Sequence, residues 1–259
     1  MSASNFKDKV IIVTGASSGI GAAAATHLAN LGGLLVIVGR NAARLKETAD
    51  KIIAAGGTAP LQLQVDMNKD AEVEQIVSAT LAKYGRIDVL VNNAGILELG
   101  SIENTSLEQY DHVMNTNVRA VYQLTMLATP ELVKTKGNIV NISSVNGIRS
   151  FPGVLAYNVS KAAVDQFTRC VALELAPKGV RVNAVNPGVI ITELQRRGGL
   201  DEVAYQNFMK RAKETHALGR PGEVQEVAAA IAFLASDASS FITGVSLPVD
   251  GGRHAMCPR

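Results

Sequence analysis

Short apolar runs recur along the chain and alternate with longer stretches whose apolar positions repeat at helical spacing. Residues 10–13 and 34–38 are uninterrupted and rich in β-branched side chains, the mark of strands buried on both faces. The same reading predicts strands at 61–65, 87–91, 138–142, 181–185 and 245–249. Between them it predicts helices at 22–31, 42–55, 71–84 and a long one over 107–134, then one through Tyr157, one at 201–213 and an amphipathic one at 223–235. Strand–helix alternation of this length implies an α/β fold with a parallel sheet and helices on both faces. No linker, repeat or low-complexity tract interrupts it, so residues 1–259 read as a single domain.

Composition adds exclusions. With 25 basic and 23 acidic residues the net charge is +2, which gives no field to recruit nucleic acid or a membrane surface. Cys170 and Cys257 show no metal-ligand spacing and the four histidines are scattered, so no metal is expected. The start of the chain has no apolar leader, and no apolar run reaches membrane-spanning length. A cytoplasmic location is the expectation.

The candidate chemistry sits at the strand ends. The first strand runs into Thr14-Gly15-Ala16-Ser17-Ser18-Gly19-Ile20-Gly21 and then a helix, the context in which a glycine-rich turn cradles a pyrophosphate at a helix N-terminus. The alternative is that the glycines only shape a tight turn. The second strand ends at Arg40 with no acid beside it; a guanidinium there suits a ribose 2′-phosphate, whereas Asp or Glu suits a free 2′-hydroxyl. Arg40 as a solvated loop residue is the bland alternative. Asp66, Asn93, Ser144 and Asn186 all fall at carboxyl ends of strands, the edge where open parallel sheets bind ligands. Tyr157 and Lys161 stand at i,i+4, on one face of a helix. A phenol with a pKa of about 10, beside a cation, is a general acid/base shifted toward neutrality. Alone, such a pair occurs on many helices by chance.

Taken together, Thr14-Gly-x3-Gly-x-Gly21, Asn92-Asn-Ala-Gly95, Asn117, Ser144, Tyr157-x3-Lys161 and Pro187-Gly-x3-Thr192 resemble the short-chain dehydrogenase/reductase family, from about residue 8 to 252. The resemblance implies a Rossmann-type, doubly wound, seven-stranded sheet, a nicotinamide cofactor and hydride exchange with a carbonyl or alcohol. By position, Tyr157 would give the proton, Lys161 would lower its pKa and hold the nicotinamide ribose, and Ser144 would hydrogen-bond the substrate oxygen. Ser143 would point elsewhere. Asn117 would hold a water leading to Lys161, or be a plain helix asparagine.

Gly15, Ser17, Ser18, Gly19, Ile20 and Gly21 would face the cofactor phosphates. Asp66 would receive the adenine amino group, and Asn93, Ala94 and Gly95 would lie along the ribose. Pro187, Gly188, Ile190 and Thr192 would meet the carboxamide. With Arg40 the expected cofactor is NADP(H), and a homotetramer is the expected assembly.

Residues 189–217 would be the substrate lid, in which Arg196 and Arg197 read as a solvated turn rather than a site for an acidic substrate. Leu97, Ile148, Phe151, Val154 and Leu194 would border a mostly apolar pocket, pointing to a hydrophobic ketone or secondary alcohol. A 3-oxoacyl-thioester reductase and a nucleotide-binding regulator without turnover are the alternatives.

Overall fold

In the computed structural model, which describes residues 5–256, seven strands form one parallel sheet in the order β3-β2-β1-β4-β5-β6-β7. They are β1 (Val10–Thr14), β2 (Leu34–Gly39), β3 (Leu61–Gln64), β4 (Val89–Asn92), β5 (Asn138–Ile142), β6 (Arg181–Pro187) and β7 (Ser246–Val249). Seven parallel strands and helices on both faces are what the hydrophobic pattern and the family resemblance together implied. Cys257 lies outside the described residues, so its reading is not addressed by the structure.

Alternation along the strands divides the core in two. Ile11 and Val13 of β1, with Leu35 and Ile37 of β2, face α1 (Gly19–Asn30), α2 (Ala42–Ala54) and, further along, α9 (Val224–Ala235). Val10, Ile12, Val36 and Val38 face α3 (Asp70–Tyr84), α5 (Ala120–Thr135) and α6 (Leu155–Leu175) on the other side. A side-chain period of two on strands covered on both faces requires this uniform apolarity. The order turns back between β1 and β4, whose neighbouring ends form the crevice that open α/β sheets use for ligands.

The long helix expected over 107–134 is not continuous. It consists of α4 (Leu107–Met114), a five-residue π turn at Asn115–Arg119, and then α5. The extra residue in that turn buries Asn117 and aims it at β4's outgoing loop, a common arrangement at functional sites. The lid contains a short α7 (Leu194–Arg197) and then α8 (Glu202–Thr215), capped by Asp201 accepting from Ala204 N–H at 2.8 Å.

Candidate active site

The turn after β1 is shaped from behind by Asn93. Its Nδ2 donates to the Thr14 carbonyl at 2.8 Å, and the Thr14 hydroxyl accepts from the N–H groups of Asn93 and Ala94, both at 3.0 Å. The fit leaves no room for side chains. A Cβ on Gly15, whose φ is +65°, would stand 2.8 Å from Asn93 Nδ2, and one on Gly21 only 2.3 Å from it. Gly21 is thus a packing glycine beneath the turn, and it does not line the cavity above. Asn93, expected along a ribose, also lines that cavity while its amide nitrogen holds the turn.

α1 begins at Ser18, which makes no side-chain cap, and its first turn holds no acidic residue. Uncapped N–H groups at the positive end of a helix dipole are a donor set for an anion. Above them lies a cavity of about 260 Å³ that runs from Arg40 and Asp66 past Asn93–Gly95 to Ser144, Tyr157 and Lys161. Gly19, Pro187, Gly188, Ile190 and Thr192 also line it, and the Thr192 methyl would be 3.3 Å from a Cβ on Gly19. Phosphate donors at one end and a phenol and an ammonium at the other fit an extended dinucleotide.

At the reactive end, α6 places Tyr157 and Lys161 one turn apart, both buried. Lys161 Nζ donates to the Ile142 carbonyl at the end of β5 (2.8 Å) and sits 5.5 Å from the centre of the Tyr157 ring. Burial pushes the Tyr157 phenol up to about 12, and the Ser144 hydroxyl beside it pulls the other way. Burial likewise brings Lys161 down to about 8, opposed by the charge of Asp165. Burial thus works against the lysine-lowered phenol expected from the i,i+4 spacing. The ammonium is bonded to a strand carbonyl, and desolvation dominates both groups.

Ser143 turns the other way from Ser144 and donates to the Lys161 carbonyl at 3.1 Å. Asn117 has both ends of its side chain committed. Oδ1 accepts from Ile96 N–H at 2.8 Å, while Nδ2 donates to Ile96 O at 2.9 Å and to Ser160 Oγ at 3.0 Å. It clamps the Gly95–Ile96 loop to α6.

Several residues the sequence reading passed over belong here. Asp165 is buried one further turn along α6 and accepts from Asn186 Nδ2 at 2.9 Å; the same nitrogen donates to the Ser144 carbonyl at 2.9 Å. The i, i+4, i+8 spacing from Tyr157 was its available signal. Arg44 lines the phosphate end, and so does Arg197, which the sequence had suggested to be a solvated turn. His216, at the end of the lid, accepts from the Val189 N–H at 3.1 Å, where the lid begins.

Of the five residues expected at the substrate pocket, only Leu194 lines the cavity. Leu97 packs under the lid, where a Cβ on Gly198 would stand 2.5 Å from its Cδ2. Phe151 lies beneath the Arg253 guanidinium at 4.5 Å, Val154 forms an isolated bridge with Gly100, and Ile148 is exposed. Leu97 lies in the loop after β4, and Ile148, Phe151 and Val154 in the segment between β5 and α6. Among the described residues there is no group of His, Cys, Asp or Glu able to hold a metal, and no helix long and apolar enough to cross a membrane.

A family model described as enoyl-(acyl carrier protein) reductase matches residues 15–254. The meso-2,3-butanediol dehydrogenase of Serratia marcescens is 38% identical over 252 residues, covering 96% of each chain. The chain belongs to the short-chain dehydrogenase/reductase family. A Caenorhabditis elegans family member of unknown function, solved with cofactor, superposes with a TM-score of 0.92 at 36% identity, covering 97% of both chains. The 3-ketoacyl-(acyl-carrier-protein) reductase of Brucella melitensis, solved with NADH, gives 0.89 at 35% identity, over 96% of this chain and all of that one. Family membership makes the protein an oxidoreductase acting on alcohol or ketone groups with a nicotinamide cofactor.

Proposed function

We propose that the protein is an NADP(H)-dependent reductase that interconverts an apolar ketone and its secondary alcohol. One observation carries the cofactor choice: the end of β2 presents Arg40, with Arg44 a turn into α2, and no acid stands at that strand end. A carboxylate there would repel a 2′-phosphate, whereas guanidinium groups bind it in a fork.

A nicotinamide cofactor, when bound, would supply hydride chemistry at this end of the cavity. Gly15, Ser17, Ser18, Gly19 and Ile20 would hold its phosphates. Asp66, Ala94 and Gly95 would border the adenosine, and Pro187, Gly188, Ile190 and Thr192 the carboxamide. Ser144 and Tyr157 would bracket the substrate oxygen, and the phenol would donate its proton as charge grows there. A preorganised donor in a dry site strengthens as the oxyanion develops. Lys161, with Asn117 and Asp165 holding the surrounding frame, would supply positive charge beneath the phenol.

The substrate class is read from the walls beside the reactive end, where Ile96, Ile142 and Leu194 contribute apolar surface. A 3-oxoacyl thioester is the second reading, favoured by the likeness to the Brucella reductase. Oxidation of NADPH and of NADH measured in parallel against cyclic, aromatic, steroidal and 3-oxoacyl-thioester carbonyls separates the two. Turnover with NADPH on the apolar ketones supports the proposal; activity confined to thioesters, or to NADH, overturns it.

A further inference from the structure

Two arginines stand side by side in the lid and have opposite surroundings. Arg196 is fully engaged: it pairs with Glu202 through Nε at 2.9 Å and with Glu193 through Nη1 at 2.9 Å, and lies over the Tyr205 ring at 3.6 Å. Arg197 has no carboxylate partner among the described residues. Its Nη1 donates instead to Ser18 Oγ at 3.2 Å, the residue that opens α1 beneath the glycine-rich turn.

Arg197 lines the same cavity as Arg40 and Arg44, and neither of those pairs with a carboxylate among the described residues. The three come from separate elements: the end of β2, the first turn of α2 and the end of α7. The backbone of Arg44 is held by the Asn41 cap, which accepts from its N–H at 2.9 Å. Burial and the charges of Arg44 and Arg40 all weigh against the Arg197 cation, with Glu193 acting the other way. Glu193 itself is taken by Arg196, and Asp66 accepts from Asn68 N–H at 3.1 Å. Three guanidinium groups lining one cavity, none of them paired with a carboxylate, repel one another until an anion joins them.

We propose that Arg197 is a cofactor-specificity residue: it completes, with Arg40 and Arg44, a three-arginine cradle for the adenosine 2′-phosphate and so brings the lid down on that phosphate. The inference rests on the NADP(H) reading above and extends it from the rim of the sheet to the lid. Through this contact the lid reports which dinucleotide is present, because the residue after Arg197 is Gly198, packed on Leu97.

The test uses fragments that carry no hydride. Titration calorimetry with 2′-phospho-ADP-ribose and with ADP-ribose is run on the full chain, on Arg197→Gln and on Arg40→Gln, with hydrogen exchange of residues 189–217 followed alongside. The expected result is that Arg197→Gln weakens the phosphorylated fragment by about ten- to a hundredfold, the worth of a charge-assisted bond to phosphate, and leaves ADP-ribose unchanged. The phosphorylated fragment should also slow lid exchange in the wild type and not in Arg197→Gln. Equal loss for both fragments, or no loss, overturns the proposal. If the wild type does not distinguish the fragments, the NADP(H) reading falls with it. If it does, and Arg40→Gln alone abolishes the distinction, the cofactor reading stands and the role of Arg197 is refuted.

Discussion

Lys161 is bonded to the main-chain oxygen of Ile142, 2.8 Å away, and its ammonium lies at the level of the Tyr157 ring rather than at a carboxylate. The nearest acid acting on it is Asp165, and that charge offsets only part of the desolvation. A buried cation held this way costs stability and is retained for what it does to a neighbour.

Lys161→Met should therefore lower turnover and cofactor affinity without lowering the melting temperature. The pH dependence has a definite sign. Lys161 falls from 10.5 to about 8 on folding, so its contribution to stability is full above 10.5 and is lost as pH falls toward 8. Tyr157 moves from 10.0 to about 12, so its contribution is full below 10 and is lost as pH rises toward 12. Between about 8 and 10 only the lysine acts, and wild-type stability should rise with pH there. A flatter profile in Lys161→Met, measured by denaturant unfolding of the cofactor-free protein, checks this.

Asn117→Ala removes all three bonds that tie Ile96 to Ser160. A loss of about 1–3 kcal/mol in unfolding free energy is expected from the buried groups left unpaired. Turnover should fall as well, because the loop beside Lys161 is released. Unchanged turnover with lowered stability would make the π turn a purely structural device.

His216 is buried and uses both ring nitrogens: Nδ1 lies 2.7 Å from the Ala212 carbonyl and Nε2 accepts from Val189 N–H. Only the neutral ring does both. Burial holds its pKa below 6.5, so its contribution to stability is full above 6.5 and is lost as pH falls below it. Once the base-catalysed intrinsic rate is divided out, the hydrogen-exchange protection of residues 189–217 should fall as pH drops from 7 toward 5, and His216→Gln should flatten that dependence.

Tyr122 and Met126 on α5, and Phe241 before β7, are exposed, and Tyr122 meets Phe167 of α6 with ring centres 5.6 Å apart. Apolar side chains left open on neighbouring helices favour a symmetric assembly. Sedimentation should show a tetramer, and Tyr122→Glu should shift it to smaller species. A stable wild-type monomer at micromolar concentration would contradict this.

The sheet was legible because strands buried on both faces carry long apolar runs, as residues 10–13 of β1 do. The residues around the crevice were legible because the carboxyl ends of parallel strands converge there. The π turn was not, since Asn115–Arg119 continues the helical pattern and departs from it by one inserted residue. The surroundings of Phe151 were not, because Arg253, which lies over its ring, is a partner far along the chain that no local pattern announces. Arg197 read as a solvated turn for the same reason: its contact with Ser18 exists only once the lid has folded over the first helix. Local periodicity reports which face is buried; it does not report which distant loop does the burying.

In the proposed reaction Tyr157 gives the proton. Tyr157→Phe keeps the ring and its packing and removes the one proton the side chain can donate. Single-turnover reduction by NADPH, with cofactor binding measured on the same preparation, tests it most directly. Turnover should fall by about 10²–10⁴-fold while NADPH affinity stays within the range of the wild type. A variant that keeps most of its turnover, with an unaltered pH profile, would show that the proton comes from another group.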